Sequence, residues 1–147
     1  MSRLLAMVYD RVLQASEEAC GRAWRAELLE GLSGTVVEVG AGTGLNLEHY
    51  GEGVERLVLT EPDRHMRARL ARRVAESPLR DRVELLDAVA DELPLGDDEV
   101  DAVVCTLVLC SVPDPAAALA EFPGCCAPGA PWPTWSMCSP RRNLGGP

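Results

Sequence analysis

Thr35-Val36-Val37-Glu38-Val39 runs straight into Gly40-Ala41-Gly42-Thr43-Gly44, and Glu61 stands 21 positions after Gly40, at the end of a second apolar run, Arg56-Leu57-Val58-Leu59-Thr60. Short, β-branched, mostly apolar stretches of this kind read as buried strands. A strand that enters a glycine-rich turn and then a helix is a nucleotide-binding signature with a physical cause. Glycines let the backbone approach a ligand closely, and a helix N-terminus presents N–H groups without intrahelical partners. A carboxylate after the second strand can accept hydrogen bonds from both hydroxyls of a ribose. Turn and acid at this spacing point to an adenosine ligand; the bland alternative is a tight turn and an unrelated surface glutamate.

Outward from that centre, the chain alternates. Residues 3–30 carry Leu4, Leu5, Val8, Val12 and Leu13 at helical steps, continued by Trp24, Leu28 and Leu29, with Gly31 and Gly34 as a stop. Residues 45–50 read as the opening of a helix. Residues 63–76 read as a helix with Met66, Leu70 and Val74 on one face, arginines on the other, and Pro78 beyond its end. Residues 82–86 and 100–106 read as a third and fourth strand, the latter the most apolar. Pro113-Asp114-Pro115 opens an alanine-rich helix through Glu121, with proline where a missing N–H does no harm. Strands alternating with helices predict a parallel sheet covered on both faces.

Composition narrows the classes. The 147 residues suit about one domain, 47% of them are apolar, and no apolar run reaches the ~20 residues that span a bilayer. The first ten residues do not read as a signal peptide. A net charge of −9 argues against a sequence-independent grip on nucleic acid. Cys20, Cys105 and Cys110 sit in apolar contexts and behave as small hydrophobes. Cys125, Cys126 and Cys138 lack zinc-site spacing, so no metal is expected, and reduced thiols imply a cytoplasmic setting. Lysine and isoleucine are absent, as from a GC-rich gene. Oligomeric state is not legible.

The dinucleotide fingerprint is Gly-x-Gly-x-x-Gly; here the third glycine arrives one residue early. Val36 to Gly44 instead resembles the first motif of class I S-adenosylmethionine (SAM)-dependent methyltransferases, whose turn holds a methionine moiety and no diphosphate. The resemblance covers residues 35–121. Thr60-Glu61-Pro62-Asp63 is similar to the family's ribose-binding acid, and Met66 matches a position that packs against adenine. Residues 90–101 resemble the segment between the third and fourth strands. Residues 103–112, Val-Val-Cys-Thr-Leu-Val-Leu-Cys-Ser-Val, resemble the fourth strand of the thiol methyltransferases and their bacterial relatives. One departure stands out: Val89 occupies the place where many relatives have an aspartate, leaving Asp91 or a backbone group to read the adenine amine.

The resemblance implies a Rossmann-like three-layer α/β sandwich with SAM as cofactor and a small-molecule methyl acceptor. The expected donor-binding set is Glu38, Gly40, Ala41, Gly42, Thr43, Gly44, Glu61, Pro62, Met66, Ala90, Asp91, Thr106 and Leu107. In-line methyl transfer rests on alignment more than on acid–base chemistry, so no catalytic residue is assigned. His49 and His65 read as bystanders, and Tyr9 and Asp10 as groups that could close over the acceptor. An NAD(P)-dependent oxidoreductase is the alternative, disfavoured by the glycine spacing and by the charge of Glu61 against a 2′-phosphate. A non-catalytic SAM-binding remnant is the third reading.

The chain divides on this reading into a helical segment (1–34), a SAM-binding core (35–121) and an irregular tail (122–147). The tail holds six of the eleven prolines, three of the six cysteines and no acidic residue. No fifth strand can be drawn through it, so the family fold is expected to stop after the fourth strand and its helix. Back-translated with GC-rich codons and shifted by two bases, residues 122–137 can read Pro-Arg-Leu-Leu-Arg-Pro-Gly-Gly-Ala-Leu-Ala-Tyr-Leu-Glu-His-Val, which resembles the family's next turn and strand. A frameshift is the reading, with poor solubility and low activity as its expected consequence.

Overall fold

The computed structural model describes residues 21–90, 92–96, 99–109 and 111–125, with side chains to residue 120. Tyr9, Asp10, Asp91 and the tail from 126 onward lie outside the described residues.

Helix α1 spans Arg22–Leu29 and strand β1 Gly34–Val39. Strand β2 spans Val54–Thr60, helix α2 Arg64–Glu76 and strand β3 Val83–Leu86. Strand β4 covers Ala102–Cys105 and helix α3 Pro115–Cys125. The four strands form one parallel sheet in the order β3-β2-β1-β4. Among the described residues β4 pairs with β1 alone, at its other edge meeting no strand.

Period-two alternation divides the core. Val36, Leu57, Leu59, Ala102 and Val104 face one cluster with Leu29 of α1 and Leu70 and Val74 of α2. Val37, Val39, Val58, Val103 and Cys105 face the other, with Ala118 of α3. Successive side chains of a strand point to opposite faces, so strands apolar on both faces require helices on both. The expected three-layer α/β arrangement is present. Helix boundaries follow local chemistry. Asp63 caps α2 by accepting from His65 N and Met66 N at 2.9 and 3.0 Å, and Asp114 caps α3 by accepting from Ala116 N and Ala117 N.

Three sequence expectations need correction. Residues 45–50 do not open an α-helix: they form turns and a short 3₁₀ segment, Leu47–His49. Only a few residues separate Gly44 from Gly51 and Gly53, too few to sustain several helical turns. Asn46 and Tyr50 bend inward instead to hydrogen-bond Glu38. Strand β4 ends at Cys105, and Leu107 just beyond it has a φ of 56°, which ends an extended ladder. Helix α3 runs to Cys125, four residues past the point where the apolar pattern breaks.

Candidate functional site

The chain lays β1, β2 and β3 outward in one direction and then returns to place β4 on the free side of β1. Ligands of open parallel sheets sit beyond the carboxyl ends of the strands at such a reversal. The predicted residues converge there. A cleft of about 590 Å³ opens over the ends of β1, β2 and β4, lined by Gly40, Gly42, Glu61, Pro62, Met66 and Ala90 among others. Val108, Ser111, Val112 and Pro113 form the side nearer α3. A smaller recess of about 40 Å³ lies on the α1 side of the glycine turn, lined by Arg25, Glu38, Ala41, Thr43 and Asn46. Gly40, Gly42, Thr106 and Leu107 border both spaces.

Glu61 is fixed by the backbone around it. One carboxylate oxygen accepts from Gly42 N at 2.9 Å and the other from Asp63 N at 2.8 Å. A carboxylate has about four acceptor sites, so two amides orient it and leave capacity for two hydroxyls. Burial raises its pKa; the amides of Asp63 and Gly42 pull the other way. Arg67 donates to the Glu61 carbonyl and pairs with Asp87 at 2.7 Å, tying the start of α2 to the segment after β3.

The glycines have separate duties. Gly40, Gly42 and Gly44 all take positive φ, at 66°, 59° and 84°, a region where a Cβ is strained. A Cβ on Gly40 would collide with Val108. A Cβ on Gly42 would enter open space, which is the backbone approach that a ligand at the turn needs. A Cβ on Gly44 would meet Leu70 Cδ1 of α2 at 2.7 Å, and Gly44 lines neither space. Gly44 is thus held by packing against α2.

Glu38 is 2% exposed and accepts from Tyr50 Oη at 2.7 Å and Asn46 Nδ2 at 2.8 Å. Desolvation pushes its pKa to about 7, against the lowering effect of Tyr50, Asn46 and Arg25. Asn46 also donates to Thr106 Oγ1 at 3.0 Å, and Arg25 Nη1 donates to Asn46 Oδ1 at 2.6 Å. Arg25 and Asn46, which line the recess, and Tyr50, which holds Glu38, are side chains that the sequence reading did not single out. Arg25 lies on the buried stripe of α1, one turn before Leu29, where periodicity alone would seat an apolar residue.

The remaining predicted residues fall as follows. Ala41 and Thr43 are buried beside the recess, and Met66 and Ala90 are buried at the cleft. Val89 is 43% exposed and lines the cleft. His49 Nε2 lies 3.7 Å from Glu48 Oε1 and His65 accepts from Arg64; neither lines the cleft or the recess. Among the described residues no group of three His, Cys, Asp or Glu side chains could hold a metal ion, and no helix is long and apolar enough to cross a membrane.

The geometry fits an adenosine-bearing amino acid: an acid placed for a ribose, an open glycine in between, and a charged recess at the far end. A parallel sheet carrying that site defines the class I methyltransferase fold. The methyltransferase domain family matches residues 37–131, more than half of the chain. The chain belongs to this family, and SAM is its cofactor. It is 36% identical over 104 residues to the human thiol S-methyltransferase TMT1B, a match covering 69% of this chain and 42% of that protein. It is also 36% identical over 98 residues to the phosphatidylethanolamine N-methyltransferase of Cereibacter sphaeroides, covering 65% and 47%. The chain thus spans less than half the length of the curated relatives it matches. Its fold superposes with a TM-score of 0.77 on a Methanococcus maripaludis protein assigned as a SAM-dependent methyltransferase, at 16% identity, over 89% of this chain and 62% of that one.

Proposed function

We propose that this domain transfers the methyl group of SAM to a small-molecule acceptor seated at the Val108–Pro113 side of the cleft, and that the acceptor is a thiol. Glu61 takes the two ribose hydroxyls, Met66 and the Ala88–Ala90 segment flank the adenine, and Gly40 and Gly42 let the chain pass toward the recess. When bound, the donor's sulfonium supplies an already activated methyl group. The protein's part is alignment of an in-line displacement and exclusion of water, which can amount to several kcal/mol.

The acceptor class follows from what the cleft lacks. Glu61 is its one ionisable lining side chain among the described residues, and it is committed to backbone amides. Since no second ionisable side chain lines the cleft among the described residues, an acceptor that arrives nucleophilic fits it best. A thiol, with a pKa near 8.5, is a few per cent thiolate at neutral pH, whereas a phenol at ~10 or an alcohol is far less ionised. The apolar lining suits a lipophilic body. The names of the two curated relatives support the reading, since a thiol and a neutral amine both react without a strong base at the enzyme.

The observation that carries this proposal is the carboxylate of Glu61 held between Gly42 N and Asp63 N at the mouth of an apolar cleft. The test is transfer of labelled methyl from SAM to matched thiol, amine and phenol acceptors by the full chain. Thiol methylation rising with pH through the thiol's own ionisation is the expected result. Preference for the phenol would overturn the acceptor class, and absence of SAM binding by calorimetry would overturn the domain's role.

A further inference from the structure

The cleft wall that follows β2 and β3 offers a ligand shape and almost no hydrogen bonds from side chains. Met66, Ala88 and Ala90 are buried there. Val89 lines the same wall and is the one large apolar side chain left exposed among the described residues. Methyl and isopropyl groups neither donate nor accept, and a thioether accepts only weakly. The acids beside this wall are committed elsewhere. Asp63 caps α2 through His65 N and Met66 N, and Asp87 pairs with Arg67 at 2.7 Å. The lining hydroxyls, Thr106 and Ser111, follow β4, at the opposite end of the strand order from β3. Main-chain pairing holds Val89 in place: its carbonyl accepts from Glu92 N at 3.3 Å, and the two residues form an antiparallel bridge.

We propose that Val89 makes the nucleobase end of the cleft permissive, so that the domain accepts purine nucleosides carrying alkyl groups on the 6-amino nitrogen as readily as adenosine itself. The proposal rests on the reading that the donor's ribose lies at Glu61 and its base along the Met66 wall. A site selects strongly for a polar substituent when it holds a buried partner that would otherwise go unpaired; an apolar pocket discriminates far less. Here, replacing the hydrogens of the amine strands no described side chain. An aspartate at position 89 would be such a partner, and valine has nearly its shape without its charge. The exposure of Val89 also leaves an added methyl an outlet to solvent. Selectivity for the nucleoside then resides in the ribose contacts of Glu61, and the purine is held by its faces.

Calorimetric titration of the full chain with S-adenosylhomocysteine and its 6-methylamino and 6-dimethylamino forms tests this, since the dimethyl form has no N–H to donate. All three should bind within about fivefold of one another, as an apolar pocket allows. Val89→Asp should create a preference of about tenfold or more for the unsubstituted amine over the dimethyl form, because a charged acceptor then loses its partner. Val89→Ala should leave the three alike. Wild-type rejection of the dimethyl form by more than about fivefold would overturn the proposal, and is the result expected if Asp91 reads the amine. An unchanged ratio in folded Val89→Asp would take the base away from this residue and overturn it equally. Should Val89→Asp not fold, the wild-type and Val89→Ala comparisons decide. Failure of S-adenosylhomocysteine itself to bind refutes the donor reading, an outcome distinct from a chain that binds it and rejects the substituted forms.

Discussion

The two ends of the site are made by different means. The cleft is a property of the sheet: its lining comes from strand ends and the turns that follow them, and among the described residues it is mostly apolar, with one buttressed acid and the hydroxyls of Thr106 and Ser111. The recess is a property of packing between elements far apart in the chain, with Arg25 from α1, Glu38 from β1, Asn46 from the turn and Thr106 from beyond β4. The difference teaches where binding energy can be removed locally and where removal disturbs the fold. Glu61 sits at the surface of the core, so its loss should be read mainly in ligand affinity. Glu38 sits inside, so its loss should be read in stability as well.

The largest expected effect is therefore Glu61→Ala. Two hydrogen bonds to a charged acceptor, each worth ~1.5–3 kcal/mol, disappear together, and Gly42 N loses the oxygen that holds it. SAM affinity should fall about a hundredfold or more, with circular dichroism unchanged. An unchanged dissociation constant in a folded variant would remove the distinction between cleft and recess.

The next concerns pH. Glu38 holds its proton up to about pH 7 in the folded chain, against an ordinary carboxyl value of 4.5, because burial disfavours the carboxylate. The folded state therefore binds more protons than the unfolded state between those values, and stability falls as pH rises through that window. Glu61, raised by the same cause, adds with the same sign. From pH 5 to 8 the Glu38 contribution amounts to ~2–3 kcal/mol. Glu38→Gln keeps a partner for Tyr50 and Asn46 but does not ionise, so its urea midpoint should vary less with pH than the wild type's. Parallel pH profiles of the two proteins would show that Glu38 does not carry the burden assigned to it.

Legibility in the sequence divides along the same line. Strands β1 and β2, helix α2 and the glycine–acid pair were readable because each is a local pattern: β-branched runs, a 3.6-residue stripe, a turn that only glycine makes easily. The cleft residues Gly40, Gly42, Glu61, Pro62, Met66 and Ala90 followed from those patterns and from resemblance. The recess was not readable. Arg25 occupies a stripe position that periodicity assigns to the core, and no local rule says that a cation there meets Asn46 across 21 residues. The missing helix at 45–50 has the same origin. Asn46 and Tyr50 turn inward for Glu38, a tertiary demand that overrides a six-residue propensity. Gly44 shows another limit, since the close approach of Leu70 behind the turn is a tertiary contact that the motif does not announce.

That last contrast yields the smallest effect and the sharpest one. Gly42 and Gly44 both hold positive φ, so alanine at either is strained by roughly 1–2 kcal/mol. At Gly44 the new methyl also presses on Leu70 Cδ1, adding an overpacking cost of order 1 kcal/mol that a flexible side-chain tip can partly relieve. Gly44→Ala should thus lose more stability in urea than Gly42→Ala, yet bind SAM with an affinity within about threefold of wild type. At Gly42 the methyl meets no protein atom and projects where cleft and recess join. Gly42→Ala should weaken SAM about tenfold, equivalent to ~1.4 kcal/mol, with stability reduced by the backbone strain alone. If the two variants exchanged these phenotypes, the ligand would have to approach the turn from the α2 side, and both cavities would be misassigned.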